Sequence, residues 1–550
     1  MATTINWSSG NSTIFTNADY LNAGSPASVI LGTGWVSIES DAFRDSGQSS
    51  GSTILETIEI ANTVTSLSNF ALRQCSALHT VTFTATSTLL TLGTHAFASC
   101  ALLSTIVLPS TLTSIGSTCF QDSSALTTLV LPNSVTSMGD SVFWNSGITN
   151  ITLPNTITSI SNHFFRYCSS LTSITIPATV TSIGVWVFSG TSLTSITIPS
   201  SVTSIGGDSF ANVSLTSVVM NSSSVLFSTV FVNINSISSV TFDYVGTIEA
   251  NACNGRTAIT SVTIGTSITG IGSNAFKLCT NSSFTSITIP SSVTSIGTYA
   301  FKGSTGITSL TFTPTSTLTT ISQEAFDGCT GLTGTQAIPD SVTSIGQSGF
   351  QSTNITSFTF GAGSQLTTID NFAFQLNSNL TSFTMPNTVT TIGTQLFYQC
   401  TSLASVSIST HNSVTTLGSN MFADTALTSI TIPSNITTIS ANAFSGITTL
   451  LTVVMNTGSV VFSTIFSGIT TITSVTFDYA GAIPANSCLS TTSLTSVTIG
   501  NTITSIGSNA FKLCTNAALT SITIPVSIAS VGTDAFTGVP LTTVVMNSGS

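Results

Sequence analysis

The cysteines are the first residues whose type and spacing could do chemistry. Ten occur in the 550 residues, and six of them follow a phenylalanine by three positions: Cys100, Cys168, Cys279, Cys329, Cys400 and Cys514. Thiols can bind zinc, but zinc sites use paired short spacings such as Cys-x-x-Cys, and the chain has none. Only some neighbouring repeats both carry a cysteine, which disfavours a ladder of disulfide bonds. We therefore predict small thiols buried in a core, without metal or any other cofactor.

The histidines offer no catalytic pattern. A general acid, a general base or a zinc ligand needs a carboxylate or a second histidine at a defined spacing. The four histidines stand far apart and without such partners: His79, His95, His163 and His411. We expect them at the surface or at corners of the fold, and we predict no catalytic residues.

Two repeated polar pairs, Asp243-Tyr244 and Asp478-Tyr479, each follow the letters SVTF. They could form a small binding spot at the end of a strand. The favoured alternative is a turn-forming aspartate beside a packed tyrosine.

Threonine and serine recur at fixed positions and give the strongest candidate for a binding face. Thirteen threonines occupy one strand position: Thr152, Thr175, Thr197, Thr241, Thr263, Thr288, Thr311, Thr359, Thr384, Thr431, Thr476, Thr498 and Thr523. Seven serines stand two residues earlier: Ser173, Ser195, Ser261, Ser286, Ser429, Ser496 and Ser521. We predict that both sets face outward and form two hydroxyl rows.

The hydroxyl rows have a functional and a plain interpretation. A long, neutral, hydrogen-bonding face would suit glycans, the surface of another protein, or ordered water. Alternatively, threonine serves only as a residue that favours strands and tolerates water. Valines interrupt the row at Val107, Val130, Val219, Val454 and Val545.

A sequence repeat of roughly 22 to 27 residues must position these side chains. That repeat length is typical of leucine-rich repeats. One repeat reads L-x-x-I-x-I-P-x-x-V-x-x-I-G-x-x-A-F-x-x-C. Its most regular column is Phe43, Phe70, Phe97, Phe120, Phe143, Phe165, Phe188, Phe210, Phe276, Phe301, Phe326, Phe350, Phe374, Phe397, Phe422, Phe444, Phe511 and Phe536. We predict that each of these rings closes one coil as an interior wedge.

The segment Ile174-Thr175-Ile176-Pro177 illustrates the predicted coil. Alternation puts both isoleucines on one face of a strand, and the proline ends it. Val180 and Ile183 then point inward before the turn at Gly184. The predicted fold is a β-rich repeat solenoid in which about twenty coils stack about 4.8 Å apart. Short parallel strands would form a long curved sheet with few or no long helices.

Some segments depart from this unit. A block beginning VVMN occurs at Val218 and again at Val453, and the two copies keep nearly the same order over a long segment. The letters LTGTQAIPD at 332–340 carry one extra residue and place Gln336 where an inward isoleucine is expected, which predicts a bulge.

The predicted domain organisation is a short first segment followed by one long array. Residues 1–35 do not match the repeat and are expected to form an N-terminal cap or attachment segment. Residues 36–550 are expected to form the solenoid. A third VVMN block starts at Val544 without its FSTxF continuation, so we expect the array to continue beyond 550.

Composition narrows the classes of partner. Charged residues make up 5% of the chain, with 18 acidic and 7 basic residues and a net charge of −11. A nucleic-acid surface needs clustered Lys and Arg, so nucleic acid is disfavoured as a partner. No apolar run reaches the roughly 18 residues of a membrane span, so no direct membrane insertion is expected within 1–550. The opening letters MATTINWSSGNSTIF show no signal-peptide pattern, which leaves another export route, a removed signal, or retention inside a cell or particle.

The letters LTSITIPSSVTSIGxxAFxxC and their variants, from about Val36 to the end, resemble the BspA-like leucine-rich repeats. That family occurs on surface antigens of anaerobic bacteria, parasitic protozoa and some large viruses. The resemblance implies a non-catalytic protein that adheres to or recognises host or matrix proteins. It also implies an extracellular, cell-surface or virion-surface location.

Three functional hypotheses follow. The leading one is a non-catalytic surface adhesion or recognition protein that presents the Ser/Thr-rich face to proteins or glycans. The second is a structural spacer or fibre protein that assembles with itself end to end on a cell or virion surface. The third is ice binding by the threonine row.

Overall fold

A computed structural model describes residues 2–6, 12–49, 51–409, 413–440 and 442–547. The chain divides into two compact units, Met1–Val245 (unit 1) and Gly246–Ser550 (unit 2). Each unit is described by itself.

Unit 1 contains, in chain order, β1 (Thr3–Ile5), β2 (Ile14–Phe15), α1 (Asn17–Asn22), β3 (Ser28–Leu31), β4 (Ser37–Ile38), β5 (Thr57–Ile60), β6 (Ser66–Leu67), β7 (Thr80–Phe83), β8 (Thr91–Leu92), β9 (Thr105–Ile106), β10 (Ser114–Ile115), β11 (Thr128–Val130), β12 (Ser137–Met138), β13 (Asn150–Thr152), β14 (Ser159–Ile160), β15 (Ser182–Ile183), β16 (Ser195–Ile198), β17 (Ser204–Ile205), β18 (Ser217–Met220), α2 (Phe227–Val230) and β19 (Ser239–Phe242).

Unit 2 contains β20 (Gly246–Ile248), β21 (Ser261–Ile264), β22 (Ile268–Ile271), β23 (Ser286–Ile289), β24 (Ser295–Ile296), β25 (Ser309–Phe312), β26 (Thr320–Ile321), β27 (Thr333–Ile338), β28 (Ser344–Ile345), β29 (Asn354–Phe360), β30 (Thr368–Ile369), β31 (Ser382–Thr384), β32 (Thr391–Ile392), β33 (Ser405–Ser407), β34 (Thr416–Leu417), β35 (Ser429–Ile432), β36 (Thr438–Ile439), β37 (Thr452–Met455), α3 (Phe462–Ile465), β38 (Ser474–Phe477), β39 (Gly481–Ile483), β40 (Ser496–Ile499), β41 (Ile503–Ile506), β42 (Ser521–Ile524), β43 (Ser530–Val531) and β44 (Thr543–Met546).

The strands form a solenoid of parallel pairs, which confirms the predicted fold class. Most coils contribute one main strand, which carries the predicted threonine position, and one short side strand. Strand β16 pairs residue by residue with β18 of the next coil, and β18 pairs in the same way with β19. Ile196 and Ile198 of β16 are buried at 2% and 0% exposure while Thr197 faces solvent. Alternation therefore sorts apolar from hydroxyl side chains, as expected for a half-buried strand.

The side strands were not predicted. They consist mostly of a Ser-Ile, Thr-Ile or Thr-Leu pair, such as β15, which pairs in parallel with β14 and β17. A two-residue strand is too short to show an alternating pattern in the sequence. Val180 and Ile183 are buried beside this row, as predicted.

The coil that contains Ile174-Thr175-Ile176-Pro177 departs from the prediction, because the segment 173–176 forms no strand. Ile176 is still buried, at 5% exposure, so the inward pattern is correct for that residue. The reason is distance, since an open groove of about 410 Å³ separates the segment from β13 of the preceding coil. A strand forms only where a neighbouring backbone lies within hydrogen-bond reach.

The phenylalanine column forms the interior wedge in both units. In unit 1 the rings of Phe97 and Phe120 stack with centroids 5.6 Å apart. In unit 2 the rings of Phe276 and Phe301 stack at 5.2 Å, and the column continues in the same way. Offset stacking of aromatic rings adds to the free energy gained from burial.

Two members of the predicted column are exceptions. Phe70 is wrong, because the wedge of its coil is Leu72, which is fully buried. Phe70 stands two residues earlier and stacks on His95 outside the core, with centroids 4.9 Å apart. Phe536 occupies the column but is only half-buried.

A second interior column, three residues after the wedge, supplies hydrogen-bond donors. The thiol of Cys329 donates to the carbonyl of Phe301 one coil earlier at 3.1 Å. The same position is served by the hydroxyl of Ser304 at 2.6 Å and by the amide of Asn377 at 3.0 Å. All ten cysteines are buried and unpaired, which confirms the prediction of small core thiols. The column gives core carbonyl groups a side-chain donor, which for Phe301 adds to the hydrogen bond of 3.0 Å from the backbone nitrogen of Ser304.

Helices are short throughout the described residues. Helix α1 is capped by Thr16, whose side chain accepts from the backbone of Asp19. Helices α2 and α3 occupy equivalent places in the two VVMN blocks. None of the helices in the described residues has the length and apolar character needed to cross a bilayer.

The predicted bulge is present. The register between β27 and β29 shifts between Gly334 and Thr335, and Gly334 has a φ of +69°. Gln336 lies inward with 7% exposure, in the place where other coils bury an aliphatic residue. The extra residue is absorbed locally, as expected for a bulge.

Candidate recognition surfaces

The outward threonine row exists on the main strands, except at Thr175, which lies in the strandless segment. The thirteen side chains are exposed apart from Thr241 and Thr476, which are half-buried. In the described part of the chain, none of these hydroxyl groups makes a hydrogen bond with protein. Their hydrogen-bonding capacity is therefore directed at solvent or a ligand.

The row is a series of short patches. Directly opposed threonines of this set occur at Thr288 with Thr311 and at Thr476 with Thr498. In several other ladders the opposed residue differs, as at Val219 beside Thr197 and at Ala337 beside Thr359. A ligand on this face would meet hydroxyl groups separated by methyl groups.

Other threonines have a structural role. In the turn before each side strand, a threonine hydroxyl donates to the carbonyl of the equivalent residue one coil earlier. The hydroxyl of Thr343, for example, donates to Thr319 at 3.1 Å. The described residues of this set include Thr65, Thr113, Thr136, Thr181, Thr203, Thr294, Thr319, Thr343, Thr367, Thr390 and Thr437. Position relative to the strand thus decides whether a threonine holds coils together or faces outward.

Within the described residues, grooves open between main strands at three places that concern the threonine row. In unit 2 one groove of about 460 Å³ lies between β25 and β27, and another of about 380 Å³ lies between β29 and β31. In unit 1 the groove of about 410 Å³ lies between β13 and residues 173–177. Each lies beside residues of the predicted threonine row. Sequence reasoning did not predict these grooves.

The corner turns form a further surface that the sequence interpretation missed. They carry six of the seven Lys and Arg residues, each directly after the wedge residue of its coil: Arg44, Arg73, Arg166, Lys277, Lys302 and Lys512. The shared position of these residues, directly after the wedge residue, could have indicated this surface from the sequence. Non-glycine residues in these turns adopt left-handed backbone, such as His163 at a φ of +57° and Trp186 at +59°.

In unit 1 the corners hold an aromatic and cationic cluster. The guanidinium carbon of Arg166 lies 5.3 Å from the Trp144 ring centroid and 4.8 Å from those of Tyr167 and Trp186. His163 stacks on Trp144 at 5.8 Å. Among the described residues Arg166 makes no ion pair; its charge is compensated by cation–π contact with the rings and by a hydrogen bond of 3.1 Å that its guanidinium donates to the Tyr167 hydroxyl.

In unit 2 the equivalent corners pair cations with acids. Lys302 contacts Glu324 and lies 2.9 Å from the carboxylate of Asp327. Burial opposes the charge of Lys302, but the hydrogen bonds to both acids outweigh it and raise its pKa. Burial also raises the pKa of Asp327, against the effect of the lysine. Lys512 lies 3.0 Å from Asp534 and its hydrogen bond lowers the pKa of that carboxyl group.

The histidines are dispersed, as predicted for the three that the structure describes. His79 is exposed, and His95 and His163 stand in corner turns. Burial, followed by the charge of Arg73, lowers the pKa of His95. His411 lies outside the described residues.

The two Asp-Tyr pairs match the favoured alternative. Asp243 and Asp478 are exposed, while Tyr244 and Tyr479 are buried at 7% and 9% exposure. The hydroxyl of Tyr479 donates to the carbonyl of Ala482 at 3.2 Å, and burial raises the pKa of Tyr479 to about 12.

Within the described residues, no three His, Cys, Asp or Glu side chains are placed to hold a metal ion. The thiols are poor nucleophiles, since burial raises the pKa of Cys75, Cys119, Cys279, Cys329 and Cys400 to about 12. The arrangement offers hydrogen bonding, stacking and apolar contact.

Comparison with known proteins supports the repeat assignment. A family model described as a BspA type leucine rich repeat region matches residues 36–172, 159–283, 277–403, 367–480 and 481–550. No curated protein matches the chain.

Three of the solved structures that resemble this chain come from bacteria. A leucine-rich repeat protein from Bacteroides ovatus ATCC 8483 is 23% identical over 59% of this chain and 87% of its own, with a TM-score of 0.35. A leucine rich cell surface protein from Faecalibacterium prausnitzii A2-165 is 22% identical over 81% of this chain and 83% of its own, with a TM-score of 0.25. The T. pallidum leucine rich repeat protein is 27% identical over 30% of this chain and 78% of its own, with a TM-score of 0.28.

Proposed function

Because this chain belongs to the BspA-type leucine-rich repeat family, we propose that it is a non-catalytic surface protein that recognises proteins or glycans through its main-strand face. Leucine-rich repeat proteins generally serve recognition or binding, and the family is generally non-catalytic. The similar protein from Faecalibacterium prausnitzii is described as a cell surface protein, which supports a surface location for this one.

One observation carries the proposal, namely that the outward threonine hydroxyls have no hydrogen-bond partner in the described structure while the threonines of the turns do. A free hydroxyl can donate one hydrogen bond and accept two. Each isolated contact is weak, with a net value of about 1 kcal/mol. Many such contacts on a rigid repeated face give useful affinity because little ordering is required on binding.

The face also suits neutral ligands better than charged ones. The outward positions of strands β35, β38 and β40 are all serine or threonine, as in Ser429, Thr431 and Thr498. With 5% charged residues in the chain, long-range electrostatic attraction contributes little. Recognition would therefore depend on contact geometry.

The test is a binding screen of the full chain against immobilised extracellular-matrix proteins and glycans. A row variant carries Thr431→Lys and Thr498→Lys, and its matched control carries Thr438→Lys on side strand β36 and Thr504→Lys on side strand β41. We expect saturable binding that the row variant weakens at least tenfold and the control leaves unchanged.

Two results would contradict the proposal. The first is a chain that binds no protein or glycan; the second is binding that the row variant does not affect. Filaments seen by light scattering would favour the spacer hypothesis instead, and thermal hysteresis would favour ice binding.

A further inference from the structure

At the groove between β25 and β27, unit 2 departs from its regular repeat, because these two main strands form no ladder. The two coils touch at Gly331, where an added Cβ would lie 2.5 Å from the carbonyl of Ile307. They touch again at Ser341, whose hydroxyl donates to Leu318 at 2.8 Å. Between these points the main strands separate and leave about 460 Å³. That volume lies within the range of small-molecule sites, about 300–1,000 Å³.

A buried amide lines this groove. Gln336 has 7% exposure and stands in the inward position that Ile287 and Ile430 occupy in regular coils, both at 2% exposure. Its Nε2 donates to the adjacent carbonyl of Ala337 at 2.9 Å, and its Oε1 accepts no hydrogen bond from the described residues. This oxygen is not among the fully buried polar atoms that lack a partner, and Gln336 lines the open groove, so the amide keeps an acceptor that a ligand in the groove can use.

A carboxylate stands at the rim. Asp340 lines the groove and is exposed. Its side chain reaches over the backbone of the next coil at two glycines: a Cβ at Gly361 would collide with the carboxylate, and one at Gly363 would lie 2.8 Å from it. The backbone nitrogen of Gln365 donates to the Asp340 carbonyl at 2.8 Å, which fixes this corner of the groove.

The remaining lining is apolar and hydroxylic. Leu310 and Ile338 are buried at 7% and 4% exposure and form the floor, while Phe312, Pro314 and Thr311 line the side. No lysine or arginine lines the groove. An anionic ligand is therefore disfavoured, because the one charged side chain that lines the groove is the carboxylate of Asp340. A ligand with adjacent hydroxyl groups on one side and C–H groups on the other would complement this chemistry.

We propose that the groove between β25 and β27 binds one neutral sugar unit of a glycan, with Gln336 and Asp340 bonding its hydroxyl groups and Phe312 contacting its C–H face. The inference rests on the proposed recognition function and names one ligand class and one site for it. A carboxylate and an amide oxygen each accept hydrogen bonds from neighbouring hydroxyls, which gives orientation.

The experiment uses the full chain and an array of neutral oligosaccharides built from glucose, mannose, galactose and N-acetylglucosamine. Affinity for the best of these oligosaccharides is then measured by isothermal titration. The groove variants are Gln336→Leu and Asp340→Asn, and Asp370→Asn is the control because it makes the same charge change on an exposed residue outside the groove.

The expected result is that the parent chain and Asp370→Asn bind the same oligosaccharide, while each groove variant binds at least tenfold more weakly. Gln336→Leu restores the apolar pattern of the repeat, so its melting temperature should stay equal or rise. Lost binding in a chain of undiminished stability cannot result from unfolding.

Either of two outcomes overturns this inference. If the groove variants bind as tightly as the parent chain, the sugar binds elsewhere and only the broader recognition function stands. If the parent chain binds no neutral oligosaccharide, the site assignment fails, and binding to matrix proteins still decides the proposed function separately.

Discussion

Two regions of unit 2 use the same repeat and present different surfaces. In the first, which we call the flat region, β35, β37, β38 and β40 pair residue by residue. In the second, the split region, β25 and β27 belong to different sheets, and β29 and β31 pair only between Ser357 and Ser382. The flat region presents rows of hydroxyl groups, and the split region presents two grooves.

Two local changes account for the difference. The coil with the extra residue has a bulge in its ladder with β29, where Gly334 pairs with Ile355 and Thr335 with Ser357, so that Thr356 is passed over. In addition, inward positions filled by Val453 and Val475 in the flat region are filled by Phe358 and Phe383 in the split region. Larger inward side chains hold neighbouring backbones further apart. One insertion and two larger residues therefore change a surface while the interior columns continue.

The largest expected effect is a loss of stability at alkaline pH, where the buried thiols of the interior lose their protons. Burial raises the pKa of Cys329 and Cys400 from 9.0 to about 12. Between these values the folded chain keeps protons that the unfolded chain releases. The free energy of unfolding should therefore be fully present below pH 9 and fall above it by roughly 1.4 kcal/mol per pH unit for each such thiol. Circular dichroism across pH 8–12 in the presence of a reductant measures the loss.

Serine substitutions provide the control for the alkaline transition. Ser304 occupies the same column in a neighbouring coil, so Cys329→Ser and Cys400→Ser should fold. Together they should make the pH dependence less steep in proportion to the thiols removed. A free energy of unfolding that stays constant from pH 9 to 11 would contradict the assignment of buried thiols.

The second prediction compares wedge residues. Phe374→Ala in the split region and Phe444→Ala in the flat region should each cost about 3–5 kcal/mol. The cost should be larger for Phe374, because its ring also lies 4.6 Å from Phe358 and 5.0 Å from Phe383. Urea titration measures both values, and equal costs would show that the extra aromatic contacts add nothing.

The third prediction moves the polar residue of the split region into the flat region. Ile430→Gln places an amide at the position equivalent to Gln336, but β35 is paired with β37 and leaves no groove beside it. The substitution should lower the free energy of unfolding by about 2–4 kcal/mol, through lost burial and an unsatisfied amide. If Ile430→Gln is tolerated without loss, the groove is not what accommodates Gln336.

The smallest expected effect separates the two kinds of threonine. Thr343→Val removes a hydroxyl that donates to Thr319, and it should cost about 1 kcal/mol. Thr359→Val, on the outward face of β29, should change stability by less than about 0.5 kcal/mol. Thermal unfolding of the two variants side by side tests this difference, which would disappear if the turn threonines were merely solvated.

Much of the interior could be predicted from sequence because it depends on residue type and period. Recurring residue types at fixed positions predict the wedge column and the buried thiols. A repeat that is one residue too long predicts the bulge near Gln336. The mistake at Phe70 arose because a phenylalanine two residues from the expected place was taken for the wedge. Leu72 has the correct spacing and fills the core instead.

The surfaces could not be predicted to the same degree. The segment at 173–176 has a strand pattern but no partner within reach, and the grooves depend on distances between coils that no single repeat encodes. The corner clusters do follow a sequence position, yet the cation–π contacts of Arg166 require Trp144 and Trp186 to come from other coils. Contacts between repeats are a property of the stack.

The corner turns bear on how this protein could be redesigned. His95, Tyr167, Trp186 and Tyr299 all hold left-handed backbone, with φ between +58° and +62°. For residues with a Cβ this conformation costs about 1–2 kcal/mol. At Tyr167, Trp186 and Tyr299 glycine or asparagine would release that energy but would also remove a cation–π contact. At Thr118 and Ser348, with φ of +57° and +55°, the same substitutions would remove no aromatic ring. Substitutions in the corner turns could therefore be used to raise the stability of the protein one coil at a time.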